Sequence, residues 1–335
     1  MNISEYKGVF VFVQQVDGKV LGVSYELISE AKKLAGDLGC EVTAVLLGHK
    51  VSELAASLGK YGADRVLIVD DPALETYMTE PYTHALVEII KAKKPEAMLL
   101  GATAIGRDVG PRVSARVKTG LTADCTKLTI DPETKNLQMT RPAFGGNIMA
   151  TIICPRTRPQ IATVRSGVMQ RNTDNSKAPQ IEEFSVKDLA ASKNVEILEV
   201  IKKTGGKTDI TEATVLVSGG RGMGGQQNFT ILDELAKTLG GTFSSSRAGV
   251  DSGWAEKERQ VGQTGKTVRP NLYVACGISG AVQHLAGMEE SEVIIAINKD
   301  PHAPIFEVAD FGVVGDALKI VPQLTDKVNK LLASK

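Results

Sequence analysis

The strongest constraint on this chain is a repeated alternation. A short apolar run meets a turn of small residues, and a segment with helical apolar spacing follows. The pattern is sharpest between Val261 and Asp316. Leu272 to Cys276 (LYVAC) reads as a buried strand, Gly277, Ser279 and Gly280 as a tight turn, and Ala281 to Met288 as a helix. Val293 to Ile297 (VIIAI) is a second buried strand that ends on Asn298. Short apolar strands alternating with helices imply a parallel sheet, and ligands of such sheets sit at the carboxyl ends of the strands.

The same grammar runs through the first half. Gly8 to Val13 is an apolar strand, and Ser24 to Leu38 is a helix closed by Gly39. Strands follow at Glu41 to Leu47, Asp64 to Val69 and Ala97 to Leu100, with helices expected over Val51 to Tyr61 and Pro81 to Lys93. Gly106-Arg107-Asp108 opens a further helical stretch, whose Arg107, Arg112 and Arg116 read as surface and packing residues. Gly120 to Asp131 and Leu137 to Thr163 look extended, and Gly145-Gly146 between apolar runs signals a hairpin. Antiparallel strands are therefore expected late in this half. The polar stretch 172–177 and the turn-rich Thr204 to Asp209 place a boundary near Lys203–Thr211. The expected fold is α/β in two domains, 1–203 and 204–335, each on a mainly parallel sheet flanked by helices and the second doubly wound. Leu318, Val321, Leu324, Val328, Leu331 and Leu332 give the second domain a terminal amphipathic helix.

Composition removes several function classes. The 335 residues carry 39 Lys+Arg and 39 Asp+Glu, so a general nucleic-acid binder, which needs a basic excess, is disfavoured. Aromatics are only 4%, too few for base-stacking platforms. No apolar run is long enough for a membrane span, and the first residues do not read as a signal peptide, so a cytoplasmic location is expected. Cys40, Cys125, Cys154 and Cys276 show no CxxC spacing, which argues against a metal site or a disulfide framework. Cys276 ends a strand beside the small-residue turn and reads either as a small buried hydrophobe or as a site residue. No Ser-His-Asp pattern, paired-carboxylate motif or HExxH is present.

Two small-residue turns could cradle a phosphate. The strand Thr214 to Ser218 runs into Gly219-Gly220-Arg221-Gly222-Met223-Gly224-Gly225 ahead of the helical stretch Phe229 to Leu239. No Gly-Lys-Ser/Thr follows at P-loop spacing. The second turn is GISGAVQH. Glycines admit a close backbone approach, and free N–H groups suit an anion. The residues alone point to a nucleotide-type cofactor.

The longer motifs are more specific. GQTGKTVRPNLYVACGISGAVQHLAGM, then AINKDPHAPIFEVADFGVVGD, with SGGRG at Ser218–Gly222 and SSRAGVD at Ser245–Asp251, resemble the FAD-binding domain of the electron-transfer flavoprotein α subunit. The resemblance covers essentially the full chain, and TRPAFGGNIMATI is similar to α subunits of anaerobic bacteria. It implies FAD as cofactor, held by Arg221, Ser246, Arg247, Gly262, Gln263, Thr264, Ser279, Gly280, Ala281, Val282, Gln283, His284, Asn298 and Asp316. Within that set it implies Thr264 near flavin N5, Arg247 beside the isoalloxazine and His284 at its pyrimidine end. It further implies a β subunit met by the N-terminal domain and by the C-terminal region. Electrons would pass to an acyl-CoA dehydrogenase. In the anaerobic members NADH, bound on the β subunit, also feeds ferredoxin or flavodoxin by electron bifurcation.

The residues taken singly leave other readings open. Arg247 could pair with Asp251, His284 could be a satisfied helix histidine, and Asn298 and Asp316 could form turns and caps. A self-contained NAD- or adenine-nucleotide-binding enzyme on a similar sheet is the alternative function.

Overall fold

The computed structural model describes residues 2–143, 148–173, 178–200, 209–211 and 213–333. The chain divides into two compact units, Met1–Lys202 and Lys203–Lys335. Most of the boundary stretch expected at Lys203–Thr211, the Gly145-Gly146 turn and part of the polar 172–177 stretch lie outside the described residues.

The first unit runs β1 (Val9–Val13), β2 (Gln15–Val16), β3 (Lys19–Val20), α1 (Gly22–Leu38), β4 (Val42–Gly48), α2 (Ala55–Leu58), β5 (Arg65–Asp70) and α3 (Thr79–Lys93). It continues with β6 (Ala97–Gly101), α4 (Ala104–Val117), β7 (Leu121–Cys125), β8 (Lys127–Ile130), β9 (Leu137–Ala143), β10 (Ile148–Ile152), β11 (Gln160–Val164) and β12 (Gln180–Glu183). Seven parallel strands form one sheet in the order β12-β5-β4-β1-β6-β11-β7. Its central strands are covered on both faces, so their sequences are continuously apolar. In β1, Val9, Val11 and Val13 pack toward α1, while Phe10 and Phe12 join the cluster with α3 and α4. The expected antiparallel strands are present as the sheet β10-β9-β8.

Two details differ from expectation. The helix expected over Val51 to Tyr61 is broken: only α2 is α-helical, between two 3-10 turns. Gly59 lies within the run and Gly62 ends it at φ 116°, so the backbone tightens while Ala55 and Leu58 still reach the core. The edge strand β12 has no apolar run. Parallel pairing with β5 and the ion pairs of Glu182 with Arg65 and Lys93 hold it. The three helix arginines sit on the surface of α4, where Arg107 pairs with Asp124, Arg112 with Glu80 and Asp108, and Arg116 with Glu80.

The second unit runs β13 (Val215–Gly219), α5 (Phe229–Thr238), β14 (Thr242–Ser245), α6 (Arg247–Asp251), β15 (Leu272–Cys276), α7 (Val282–Leu285), β16 (Val293–Asn298), β17 (Phe311–Val314) and α8 (Ala317–Ala333). All five strands are parallel, in the order β14-β13-β15-β16-β17. The first strand of the unit thus lies between the second and the third, and the chain winds away from it in both directions. That is a doubly wound sheet with its switch point between β13 and β15. Val217, Val274, Cys276 and Ile297 face α5 and the first turns of α8. Leu216, Tyr273, Ala275, Ile294 and Ala296 face the opposite layer, which includes Val261, Ile278, Met288 and Ile305. No helix of the described residues is long and apolar enough to cross a membrane.

Candidate functional site

The carboxyl ends of β13 and β15 open a crevice where the chain reverses its winding, and two glycine turns meet there. Gly220 N–H donates to the Cys276 carbonyl (2.9 Å) and Gly222 N–H to the Gly277 carbonyl (3.0 Å). A Cβ on Gly220 would stand 2.2 Å from the Gly277 carbonyl oxygen, so this contact is possible only between glycine backbones. Gly277 itself adopts φ +61°. The next turn leaves donors free: no described residue accepts from the backbone N–H groups of Ser279, Gly280 or Ala281. Helix α7 spans a single turn, so the helix expected through Met288 is shorter and the loop itself presents these groups. The cause is local. Ala286, Gly287 and Met288 close the segment with tight-turn bonds, and Val268 N–H donates to the Gly287 carbonyl (2.9 Å).

A cavity of about 880 Å³ opens at this crevice, within the size range of small-molecule and cofactor pockets. Its wall includes Arg221, Ser246, Arg247, Gly262, Gln263, Thr264, Ser279, Ala281, Gln283, His284 and Asn298 of the expected set. Gly280, Val282 and Asp316 are not in the wall. Gly280 packs where a Cβ would meet Ile305 N at 2.2 Å, and Val282 is exposed. Asp316 caps α8 through Leu318 N–H (3.0 Å), and Lys299 at 3.2 Å holds its carboxyl below the usual range.

Three of the wall residues also make bonds of their own. Asn298 Nδ2 donates to the Ile278 carbonyl (2.8 Å) and its Oδ1 accepts from Asp300 N–H (3.0 Å), tying β16 to the turn after β15. Thr264 Oγ1 accepts from Gln260 Nε2 (2.9 Å). Arg247 pairs with Asp251 through Nε at 3.2 Å across one turn of α6, and both side chains are largely exposed. The cavity keeps Arg247 on its wall, together with its counter-ion.

His284 is buried, unlike Arg247. Its Nε2 lies 3.0 Å from the Tyr273 hydroxyl, and its Nδ1 has no hydrogen-bond partner among the described residues. Burial pushes the imidazole down to about 4, with a weaker opposing influence from the Val261 backbone, so the ring is neutral near pH 7. Cys276 is fully buried and its thiol is pushed up to about 12 by burial; it packs with Val217 and Ile297 as a small hydrophobe.

Sequence reasoning missed Gln260, Asp300 and Pro304 in the wall, and Tyr273 behind it. Asp300 and Pro304 follow the carboxyl end of β16, the place where the switch-point rule puts ligands. Tyr273 gave no signal, being one apolar residue inside a strand.

The donor set suits a flavin dinucleotide. Close backbone glycines and free N–H groups match a pyrophosphate, and His284 and Arg247 stand on the same wall. Among the described residues no cluster of His, Cys, Asp or Glu could hold a metal ion.

The comparisons with known proteins agree. Residues 9–189 match the family model of the electron transfer flavoprotein domain, and residues 209–289 match that of the electron transfer flavoprotein FAD-binding domain. The chain is 51% identical over 331 residues to the electron transfer flavoprotein subunit alpha of Clostridium acetobutylicum, covering 98% of each chain. It is 44% identical to the acryloyl-CoA reductase electron transfer subunit beta of Anaerotignum propionicum, over 98% of this chain and 97% of that protein. It is also 44% identical to the lactate dehydrogenase (NAD(+),ferredoxin) subunit LctC of Acetobacterium woodii, over 96% of this chain and 77% of that protein.

Proposed function

The chain belongs to the electron transfer flavoprotein family, on the α-subunit side, and from that membership we propose that it binds one FAD at the crevice between β13 and β15 and relays electrons between protein partners. The observation that carries this reading is the cavity of about 880 Å³ at the switch point, whose wall gathers eleven residues of the expected set. When bound, the flavin would supply reversible electron uptake. The chain's own residues would bind and tune it. The Gly220–Gly222 turn and the N–H groups of Ser279, Gly280 and Ala281 would receive the pyrophosphate. Asn298 and Asp300 would form the adenosine end. Thr264, Arg247 and His284 would surround the ring, with His284 supplying a neutral hydrogen-bonding edge and Arg247 the positive charge.

In this reading the chain works as a heterodimer with a β subunit. Two relatives support an energy-coupled role: one is named for acryloyl-CoA reductase, the other for NAD and ferredoxin. We propose by extension that the heterodimer takes electrons from NADH on the β subunit. It would deliver them to an acyl-CoA dehydrogenase through the FAD of this chain and to ferredoxin or flavodoxin by bifurcation. The test is co-purification with the β chain, a visible spectrum and a flavin count. A yellow heterodimer with two FAD fits bifurcation, and one FAD fits a simple carrier. A colourless complex that takes up no flavin on reconstitution would end the reading.

A further inference from the structure

The chain enters the second unit at a point fastened to the cavity wall. Five consecutive residues of that wall, Gln260 to Thr264, belong to a single turn. The turn closes on Lys266. Gly262 N–H donates to the Lys266 carbonyl (3.1 Å), Gly265 N–H to the Gly262 carbonyl (2.9 Å) and Lys266 N–H to the Gln260 carbonyl (2.7 Å). The segment after α7 packs against it: Gln263 N–H donates to the Gln283 carbonyl (2.7 Å), and a Cβ on Gly287 would stand 2.5 Å from the Gly262 backbone.

The entry stretch supplies a further hold. Ile210 is buried in one cluster with Val261 and Val268, the valines on either side of Lys266 in the chain. Asp209 Oδ1 lies 2.8 Å from Lys266 Nζ. The same oxygen accepts from the Thr211 N–H and the Thr211 hydroxyl, both at 3.0 Å, so a local turn orients the carboxylate toward the lysine. Burial acts to raise this carboxyl, but the hydrogen bonds from Lys266 and Thr211 outweigh it and hold it below the usual range. Neither Asp209 nor Lys266 is in the cavity wall. Both side chains are partly exposed, and such a pair adds little to global stability. Its effect falls on the local opening of the turn, which costs far less than unfolding.

We propose that Asp209 and Lys266 are positioning residues, whose ion pair beside the buried Ile210 holds the Gln260–Thr264 turn in the shape that lines the cavity and thereby ties the entry of the chain to the retention of the bound group. The identity of that group rests on the flavin reading above. The fastening of the turn does not.

The test separates the two. Asp209→Asn keeps an oxygen for Thr211 and removes the charge, whereas Asp209→Glu keeps the charge on a longer arm. In the full chain without flavin, hydrogen exchange is read by mass spectrometry on a peptide spanning residues 260–266. That peptide should open about threefold more often in Asp209→Asn and in Lys266→Met, while β16 exchanges as in the wild type. Asp209→Glu should stay near the wild type, and the double variant Asp209→Asn with Lys266→Met should be no worse than either single one. In the flavin-loaded heterodimer, FAD should dissociate about threefold faster from the two single variants and at the wild-type rate from Asp209→Glu. Exchange in 260–266 unmoved by both single variants would overturn the proposal, as would effects that add in the double variant or a rise that includes β16. Wild-type FAD release from a turn that opens faster would overturn the tie to the bound group. If the turn responds as stated but no flavin binds, the flavin reading fails and the fastening stands.

Discussion

Arg247 and His284 line one cavity but offer it different electrostatics. Arg247 is exposed, and Asp251 compensates it at 3.2 Å, so its charge reaches the cavity screened by solvent and by a carboxylate. Exposed pairs of this kind are worth about 0.2–1 kcal/mol. With about 1.4 kcal/mol equivalent to about 59 mV for one electron, Arg247→Ala should lower the first reduction potential of the bound flavin by roughly 10–40 mV. Asp251→Asn should raise it by a similar amount, and Arg247→Lys should fall between. A spectroscopic redox titration reads all three, and shifts of one sign in both Arg247→Ala and Asp251→Asn would mean repacking rather than charge. Burial keeps His284 neutral near pH 7. Its folded value of about 4 lies below the ordinary 6.5, so the unfolded chain binds the extra proton first as pH falls. The stability it contributes is complete above about pH 6.5 and is lost progressively toward pH 4, up to about 3 kcal/mol. Trp254, the single tryptophan, packs near Phe229 in the same unit and reports its unfolding. Urea titrations followed at Trp254 should show the wild type losing stability relative to His284→Gln between pH 6.5 and 4. A difference that stays flat with pH would show that His284 protonates equally in both states.

At the scale of elements, the turn that joins β13 to the crevice is the least substitutable. In Gly220→Ala the new methyl meets the Gly277 carbonyl, a backbone atom of another turn that has no side-chain freedom to yield. Destabilisation of about 1–3 kcal/mol and loss of bound flavin should follow, read by urea unfolding and by the visible spectrum. Gly36→Ala gives the opposite sign. It lies inside α1, and the place its new methyl would take is open space, so the first unit should gain about 0.5–1 kcal/mol. The contrast also explains what could be read from the chain. Strands buried on both faces, such as β1, β4, β15 and β16, are legible because burial writes a continuous apolar run. The edge strand β12 escaped because an edge needs no such run: its sequence is QIEE and three of its four residues are exposed. The cavity wall was legible where a motif was long, as at Gly262–Thr264 and at Ser279, Ala281, Gln283 and His284. It was not legible where one residue matters only through its neighbours in space. Tyr273 becomes meaningful only once the fold brings His284 to it, and the bond between Arg247 and Asp251 was one of two readings that spacing alone allowed.

On the scale of the whole molecule, the first unit carries a surface that needs a cover. Strand β10 lies at the edge of its antiparallel sheet, paired only with β9 among the described residues. Its sequence, IMATI, contains no charge, and Ile148, Met149, Ile152 and the following Ile153 are exposed. An uncharged apolar edge strand invites pairing with another chain, and proteins usually blunt such edges with lysine, proline or a bulge. None of these occurs within the strand, which fits a surface shielded by a permanent partner. The β subunit is the proposed cover. The substitutions Ile148→Lys and Ile152→Lys together should leave the fold intact, because exposed positions away from special features usually change stability by no more than about 0.5 kcal/mol. Pairing with the β chain should nevertheless weaken at least tenfold, about 1.4 kcal/mol, in sedimentation or titration experiments. The crevice proposed for FAD belongs to the other unit, so flavin content per α chain should not change. The unpaired wild-type chain should self-associate in light scattering, and the double variant should do so less. Unchanged pairing together with unchanged self-association would mean that β10 faces solvent in the assembly and that the partner docks on a different surface. Weakened pairing with full flavin content would instead separate assembly, carried by the first unit, from cofactor binding, carried by the second.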